Sequence, residues 1–422
     1  MARRYHILVI LLLVGFLSGN SLGACASEVR KVRHHRVAKK GRSGKTTVTS
    51  QVVKSDKPLD VTTGDGLCAS KVNDLAFTIL KKQSEAEPYK SFTFSPLSVS
   101  YALAMTSNGA SGATLKEIEA LIGQTAAANS FYSRYMARFA PSVAMSNYLA
   151  LGKRFPVNPT FVKAIEGGYN AQVGNLDFGT AEATRQLNDW IKQQSGGEFQ
   201  DIVKQTHVNE VAYLINYMKF KAQWQAPFDK NNTWDRDFTC DDGTTTQVPT
   251  MFQYFREEYY EDSKCQAVSK KYDNSELRML IVLPKDVKIN KFVASMSAKD
   301  FDNIIAGLKT TQADVDLSLP RFETDCSLDM REMLRDLMPT AFDERANFSK
   351  LSNEKAYINR FTQDTRITVN EHGTEASGVT VQSFLVKAMH PQFTANHPFL
   401  YFIYDTTTHA ILQAGQFCGN KS

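Results

Sequence analysis

Apolar and polar positions alternate in two different ways along this chain, and the two regimes occupy different parts of it. In the first half the period is helical. Asp74 to Lys82 and Ser98 to Ser107 read as short amphipathic or wholly apolar helices, the second introduced by Ser95-Pro96. Ala181 to Gln194 places Leu187, Trp190 and Ile191 on one helical face and stops at Gly196-Gly197. Beyond residue 210, runs of β-branched and aromatic residues bounded by turn residues take over: "VAYLINYMKF", "LRMLIVLP", "ADVDLSLPRF", "TRITVN", "FLYFIYDT" and "AILQAGQF". Helices first and strands later predict an α+β fold with a large sheet, not a βαβ repeat. No internal repeat of fixed period is present.

The N-terminal end of the chain adds a different signal. Arg3 and Arg4 precede an apolar run from Ile7 to Leu17, too short to cross a bilayer and suited to an export signal over residues 1–24. Two exits from that run compete. Ala24-Cys25-Ala26 fits a small-x-small cleavage site, whereas Leu22-Gly23-Ala24-Cys25 resembles a bacterial lipoprotein box in which Cys25 is acylated. The expected location is therefore outside the cell, either free or anchored to the outer face of a membrane through Cys25. Residues 25–63 follow as a spacer, and order is expected from residue 64 to 422.

Charge sharpens this division. The 422 residues carry a net charge of +5. Residues 1–45 hold 10 of the 49 lysines and arginines and a single acid, Glu28, so the remainder is mildly acidic. Residues 30–45 alone contain eight Lys/Arg and two His. That run reads as a solvated linker, with contact to a polyanion or anionic surface as the alternative; nothing calls for a nucleic-acid-binding domain. None of the six cysteines is spaced C-x-x-C, which argues against zinc or thioredoxin-like chemistry. Most are expected to act as small buried hydrophobes.

Catalytic patterns fail one by one. There is no G-x-S-x-G and no H-E-x-x-H. "GRSGKTT" lacks the first glycine, the strand and the helix of a phosphate loop. Ser352-Asn353-Glu354-Lys355 matches S-x-x-K without its companions, and Asp177-Phe178-Gly179 reads as a strand end with a turn glycine. Glu371 and His372, as neighbours on a strand, would point to opposite faces and could not cooperate.

Several separate stretches, in order, carry a resemblance instead. "FTFSPLSVSYALAMTSNGASGATLKEI", "LINYMKFKAQWQAPFDKNNTWDRDF", "VDLSLPRFETDCSLDMREMLRDLMPTAFDERANFSKLS", "VNEHGTEASGVT" and "NHPFLYFIYD" with "QAGQF" are similar to the serpins. The resemblance spans about Asp74 to Cys418. It implies one domain of three sheets and eight or nine helices with an exposed reactive-centre loop, where length alone suggests two or three domains. It also implies a function: a monomeric, metastable inhibitor of serine proteases, needing no cofactor or metal, whose loop is cut and then inserts as a new strand of the largest sheet.

Within that resemblance the hinge is Glu371, Gly373, Thr374, Glu375, Ala376, Ser377 and Gly378, and its run of small residues suits a strand that must enter a closed sheet. With Glu375 outward, the inward set is Thr374, Ala376, Gly378, Thr380, Gln382 and Phe384. The reactive bond falls at Lys387-Ala388, or at Val386-Lys387 if the register slips by one, which implies a target of trypsin-like specificity. Ser95, Ser98 and Asn216 match the cluster beneath the opening strands, and Trp224 the tryptophan where insertion starts. Gln363 stands where many serpins have a histidine. The small hinge residues weigh against the other reading, a non-inhibitory carrier.

Overall fold

The computed structural model describes residues 64–419 apart from 140–141, 154, 170, 209, 274–275, 311–314 and 375–390. All of these belong to the unit Lys57–Ser422. Cys25, the basic run 30–45, and Glu375, Ala376, Ser377, Gly378, Val386, Lys387 and Ala388 lie outside the described residues.

Nine α-helices occur among the described residues: α1 (Gly64–Ala86), α2 (Pro96–Ser107), α3 (Gly112–Ile122), α4 (Thr125–Phe139), α5 (Pro159–Tyr169), α6 (Ala181–Gln194), α7 (Ile289–Ser295), α8 (Ala298–Gly307) and α9 (Met330–Leu334). Helix α2 carries no charged residue and is buried almost all round. Proline at its first turn needs no hydrogen bond there, and Ser95 caps it by accepting from the Ser98 N–H. The amphipathic α6 starts on a Thr180 cap and ends before Gly196 and Gly197, both in the left-handed region at φ 63° and 91°. No described helix is long and apolar enough to cross a membrane.

The strands form three sheets. One has seven antiparallel strands in the order β1 (Phe92–Phe94), β18 (Ile411–Phe417), β17 (Phe399–Asp405), β10 (Leu277–Pro284), β9 (Cys265–Lys271), β8 (Glu258–Glu261) and β11 (Lys309–Thr310). Strands β17 and β18 are buried at every residue, which is why neither alternates strictly between apolar and polar positions. Gly415 on β18 is required by close approach: a Cβ there would meet the Phe92 carbonyl and the Tyr401 ring. A second sheet has four strands, β16 (Gln392–Thr394), β12 (Val315–Pro320), β7 (Thr245–Phe255) and β6 (Thr233–Thr239).

The third sheet is the one that positions the site. Its path runs β3 (Ala171–Leu176), β2 (Val143–Gly152), β4 (Ala212–Phe220), β14 (Arg360–Asn370), β15 (Gly373–Thr374) and β5 (Ala222–Gln223), and β13 (Phe322–Asp329) pairs with β14 as well. Both faces are covered. Leu214 and Met218 of β4 enter the main core. Tyr213, Ile215 and Tyr217, of opposite parity, pack with Leu187, Trp190 and Ile191 of α6. The five described cysteines are free thiols, four of them buried.

Candidate functional site

Strand β14 is the spine of the site, because it changes partner part-way along one edge. From Arg360 to Asp364 it pairs in parallel with Tyr213 to Tyr217 of β4. At Val369 and Asn370 it pairs with Thr374 and Gly373 of β15 instead. Thr365 to Thr368, in between, have no strand partner on that edge among the described residues. Among the described residues β4 and β14 therefore part beyond Asp364, and the first hinge residues pair with β14 past that point. On their other side Gly373 and Thr374 pair with Gln223 and Ala222 of β5.

The reversal that brings β15 back onto β14 corrects the expectation for Glu371 and His372. They form a turn and do not continue the strand, and both are buried, at 4% and 9% exposure. The Asn370 side chain accepts from the His372 N–H at 2.9 Å, a local bond that favours the turn over the ladder. Gly373 follows at φ 149°, where an added Cβ would lie 2.7 Å from Gln223 Cα. A glycine is demanded at this point by both conformation and space.

The turn is gripped from the side. The Trp224 and Phe228 N–H groups donate to the carbonyls of His372 and Glu371, each at 2.8 Å. The Trp224 indole N–H donates to the Asn370 carbonyl at 3.0 Å. Glu371 accepts from the Thr233 hydroxyl at 2.8 Å and lies 3.8 Å from the Arg321 guanidinium. Thr374 is fully buried, and its hydroxyl meets that of Tyr272 at 2.8 Å. Tyr272 stacks on Trp224 with ring centres 4.5 Å apart. Burial pushes the Tyr272 phenol far above its ordinary value, so it stays neutral. Beside the turn lies an open basin of about 840 Å³, bordered by Trp234, Arg321, Glu371 and His372.

Six residues further down β14, roughly 20 Å at 3.3 Å per residue, the second group of expected residues converges. Gln363 uses both ends of its amide: Oε1 accepts from the Ser95 N–H and Nε2 donates to the Ser95 carbonyl, each at 2.9 Å. The Ser95 hydroxyl donates to the Leu412 carbonyl at 2.6 Å. The Ser98 hydroxyl donates to Asn216 Oδ1, whose amide donates to Asn147 at 2.7 Å. The cluster ties α2 to β14, β4 and β2 across the line where β4 and β14 part. Asn147 was not expected in it; its place beside Asn216 in the β2–β4 register is a tertiary fact. The amide at Gln363 has no proton to gain or lose near neutral pH, so this cluster lacks the titration a histidine there would bring.

The comparisons agree with this geometry. The family model described as "Serpin (serine protease inhibitor)" matches residues 70–419. The chain belongs to the serpin family. An uncharacterized serpin-like protein of Thermococcus kodakarensis is 30% identical, over 83% of this chain and 85% of its own length. The leukocyte elastase inhibitor of Equus caballus is 27% identical, over 81% of this serpin and 96% of its own. Human thyroxine-binding globulin, solved with its thyroxine ligand, superposes with a TM-score of 0.78 at 26% identity, covering 85% of this serpin and all of that chain. The family is one of protease inhibitors in general, and the three-sheet fold with nine helices among the described residues is the serpin fold.

The site also contains a group that sequence reasoning passed over. Lys270, near the end of β9, is completely buried beneath Trp224. A signal was present: Lys270 is two residues from both Val268 and Tyr272 in an extended segment, and so shares a face with two core side chains. Glu257 and the Ala226 carbonyl accept from its ammonium.

Proposed function

We propose that this serpin inhibits serine proteases of trypsin-like specificity as a suicide substrate. The protease serine oxygen attacks the Lys387 carbonyl carbon. The Lys387–Ala388 bond breaks, the Ala388 nitrogen leaves as an amine after taking a proton, and an acyl-enzyme remains. Insertion of the freed strand then carries the acylated protease away before water can release it. The observation that supports this reading is the hinge: Thr374 is buried between β14 and β5, beyond Asp364, where β4 and β14 part among the described residues.

Continuing the register of β15 against β14 gives each later loop residue a partner. Ala376 falls opposite Ile367, Gly378 opposite Thr365, Thr380 opposite Gln363 and Gln382 opposite Phe361. Those four β14 residues are all buried, so the incoming side chains must be small or uncharged, and they are. Glu375, Ser377 and Val379 fall on the other face, opposite Thr368, Arg366 and Asp364.

A carrier function is the second reading, favoured by the 26% likeness to thyroxine-binding globulin. One experiment separates the two. The protein is mixed with trypsin and run under denaturing conditions. An inhibitor gives a covalent complex that survives denaturation and a released peptide beginning at Ala388. A carrier gives cleavage products without a complex.

A further inference from the structure

Among the described residues Lys270 is the one fully buried lysine, and the inhibitory reading leaves it without a task. Its ammonium lies 3.4 Å from the centre of the Phe255 ring, with the Phe228 ring at 4.9 Å and Trp224 at 5.5 Å. Burial pushes it below the ordinary lysine range, and the neighbouring Glu257 carboxylate pulls it part of the way back. A methionine would fill the same space without desolvating a charge, and a buried ion pair is a poor source of stability. Its consequence has to be sought in the geometry it imposes.

That geometry centres on Ala226, whose carbonyl accepts from the Lys270 ammonium at 2.8 Å, while Glu257 accepts at 3.1 Å. Ala226 sits midway between Trp224 and Phe228, the two residues whose N–H groups hold the His372 and Glu371 carbonyls. The indole of Trp224 adds the bond to Asn370. Lys270 thus pins the centre of a five-residue clasp, and both ends of the clasp grip the turn that feeds Gly373 and Thr374 into the sheet.

We infer that Lys270 is a positioning residue for the hinge: by fixing the Ala226 carbonyl it holds segment 224–228 against the turn 370–372 and keeps Thr374 seated between β14 and β5. Seating the hinge in advance shortens the start of insertion, so Lys270 sets how the acyl-enzyme divides between trapping and release. This consequence rests on the inhibitory reading; the positioning itself does not.

The test compares two double variants of the full chain. Lys270→Met with Glu257→Gln removes the donor and leaves no unpaired buried charge. Lys270→Gln with Glu257→Gln keeps an N–H donor, one bond shorter than the ammonium. Amide hydrogen exchange of segment 222–228, read by mass spectrometry without protease, is expected to quicken in the Met variant by about three- to tenfold, the worth of one hydrogen bond. The Gln variant should stay near the wild type, as should β17 in both. With trypsin, the Met variant should consume several-fold more inhibitor per trapped protease at an unchanged rate of loop cleavage, and the Gln variant should not. Folded variants that behave alike in exchange and in trapping overturn the inference. Rapid exchange of 222–228 in the wild type overturns it too, whether or not any variant folds. If the wild type traps no trypsin, the inhibitory reading falls, while the exchange comparison still decides the role of Lys270.

Discussion

On the proposed mechanism Lys387 and Thr374 have opposite requirements, since one has to meet a protease and the other has to avoid water. A trypsin-like pocket holds a buried carboxylate, and leaving it unpaired costs about 2–5 kcal/mol. Between Arg366 and the end of the loop Lys387 is the only lysine or arginine, so no neighbour can replace it. Lys387→Leu is expected to slow trapping of trypsin by roughly 30-fold to several thousand-fold with the melting temperature unchanged, as measured by progress curves and calorimetry. Undiminished trapping, or a released peptide that does not begin at Ala388 in the wild type, moves the bait residue elsewhere. Thr374 shares its hydroxyl with Tyr272 in a site of zero exposure. Thr374→Arg would place a cation there with no partner, at a cost of several kcal/mol. The hinge should then stay out of the sheet, and trypsin should cut the loop without being trapped. A covalent complex in normal yield with this variant would show that Thr374 need not enter.

At the scale of elements, β14 carries both its own stability and the opening of the sheet. Asp364 marks the last pair between β14 and β4, opposite Tyr217, with Ser327 across on β13. Burial raises its carboxyl above the ordinary 3.8, with the Ser327 hydroxyl pulling the other way. A group raised in the fold supports folding below its unfolded value, and that support is lost as the pH rises through the raised value. Asp364→Asn should therefore raise the melting temperature at neutral pH by about 2–4 °C and have no such effect below about pH 4. Equal melting curves at both pH values would mean that the carboxyl is not penalised in the fold. The elements themselves differ in how readable they are. The run Leu277 to Pro284 and the amphipathic stretch Ala181 to Gln194 stand in the sequence with their observed limits, because one face or both meet the core along their whole length. The expected helix at Asp74 is the middle of the 23-residue α1, whose first turns bury small residues such as Gly66, Cys68 and Ala69 that give little periodic signal. In α4 the aromatic face of Phe131, Tyr132 and Tyr135 begins only after a run of alanines. Strand β15 has two residues, and nothing local marks it; the partners that make it a strand lie at 222–223 and 369–370. The hinge, the polar cluster and the place of Trp224 were legible only as resemblance; the position of Lys270 on its strand signalled burial, but its bond to the Ala226 carbonyl was not legible.

For the molecule as a whole, the proposed mechanism adds one more strand where β4 and β14 part among the described residues. The segment from Thr374 to Lys387 has 14 residues, about 45 Å at roughly 3.3 Å each, and only Thr374 is placed in the ladder among the described residues. A full strand between β4 and β14 would gain hydrogen bonds on both edges, on the order of a dozen at about 1 kcal/mol net each. For a domain of this size about 2 °C of melting temperature accompanies each kcal/mol. Ordering the loop takes back part of the gain, so a rise of roughly 20 °C is the expected scale. On the proposed mechanism a kinetic barrier holds the uncut protein from this state, because a loop tethered at both ends inserts only once it is cleaved. The measurement is a pair of calorimetric scans, before and after a single cut near Lys387 by a protease used in trace amounts. A transition some 20 °C higher in the nicked protein, with both fragments still associated, is the expected result. Superposable scans after clean cleavage would mean that the freed strand stays outside the sheet, and the mechanism proposed for trapping would lose its source of energy.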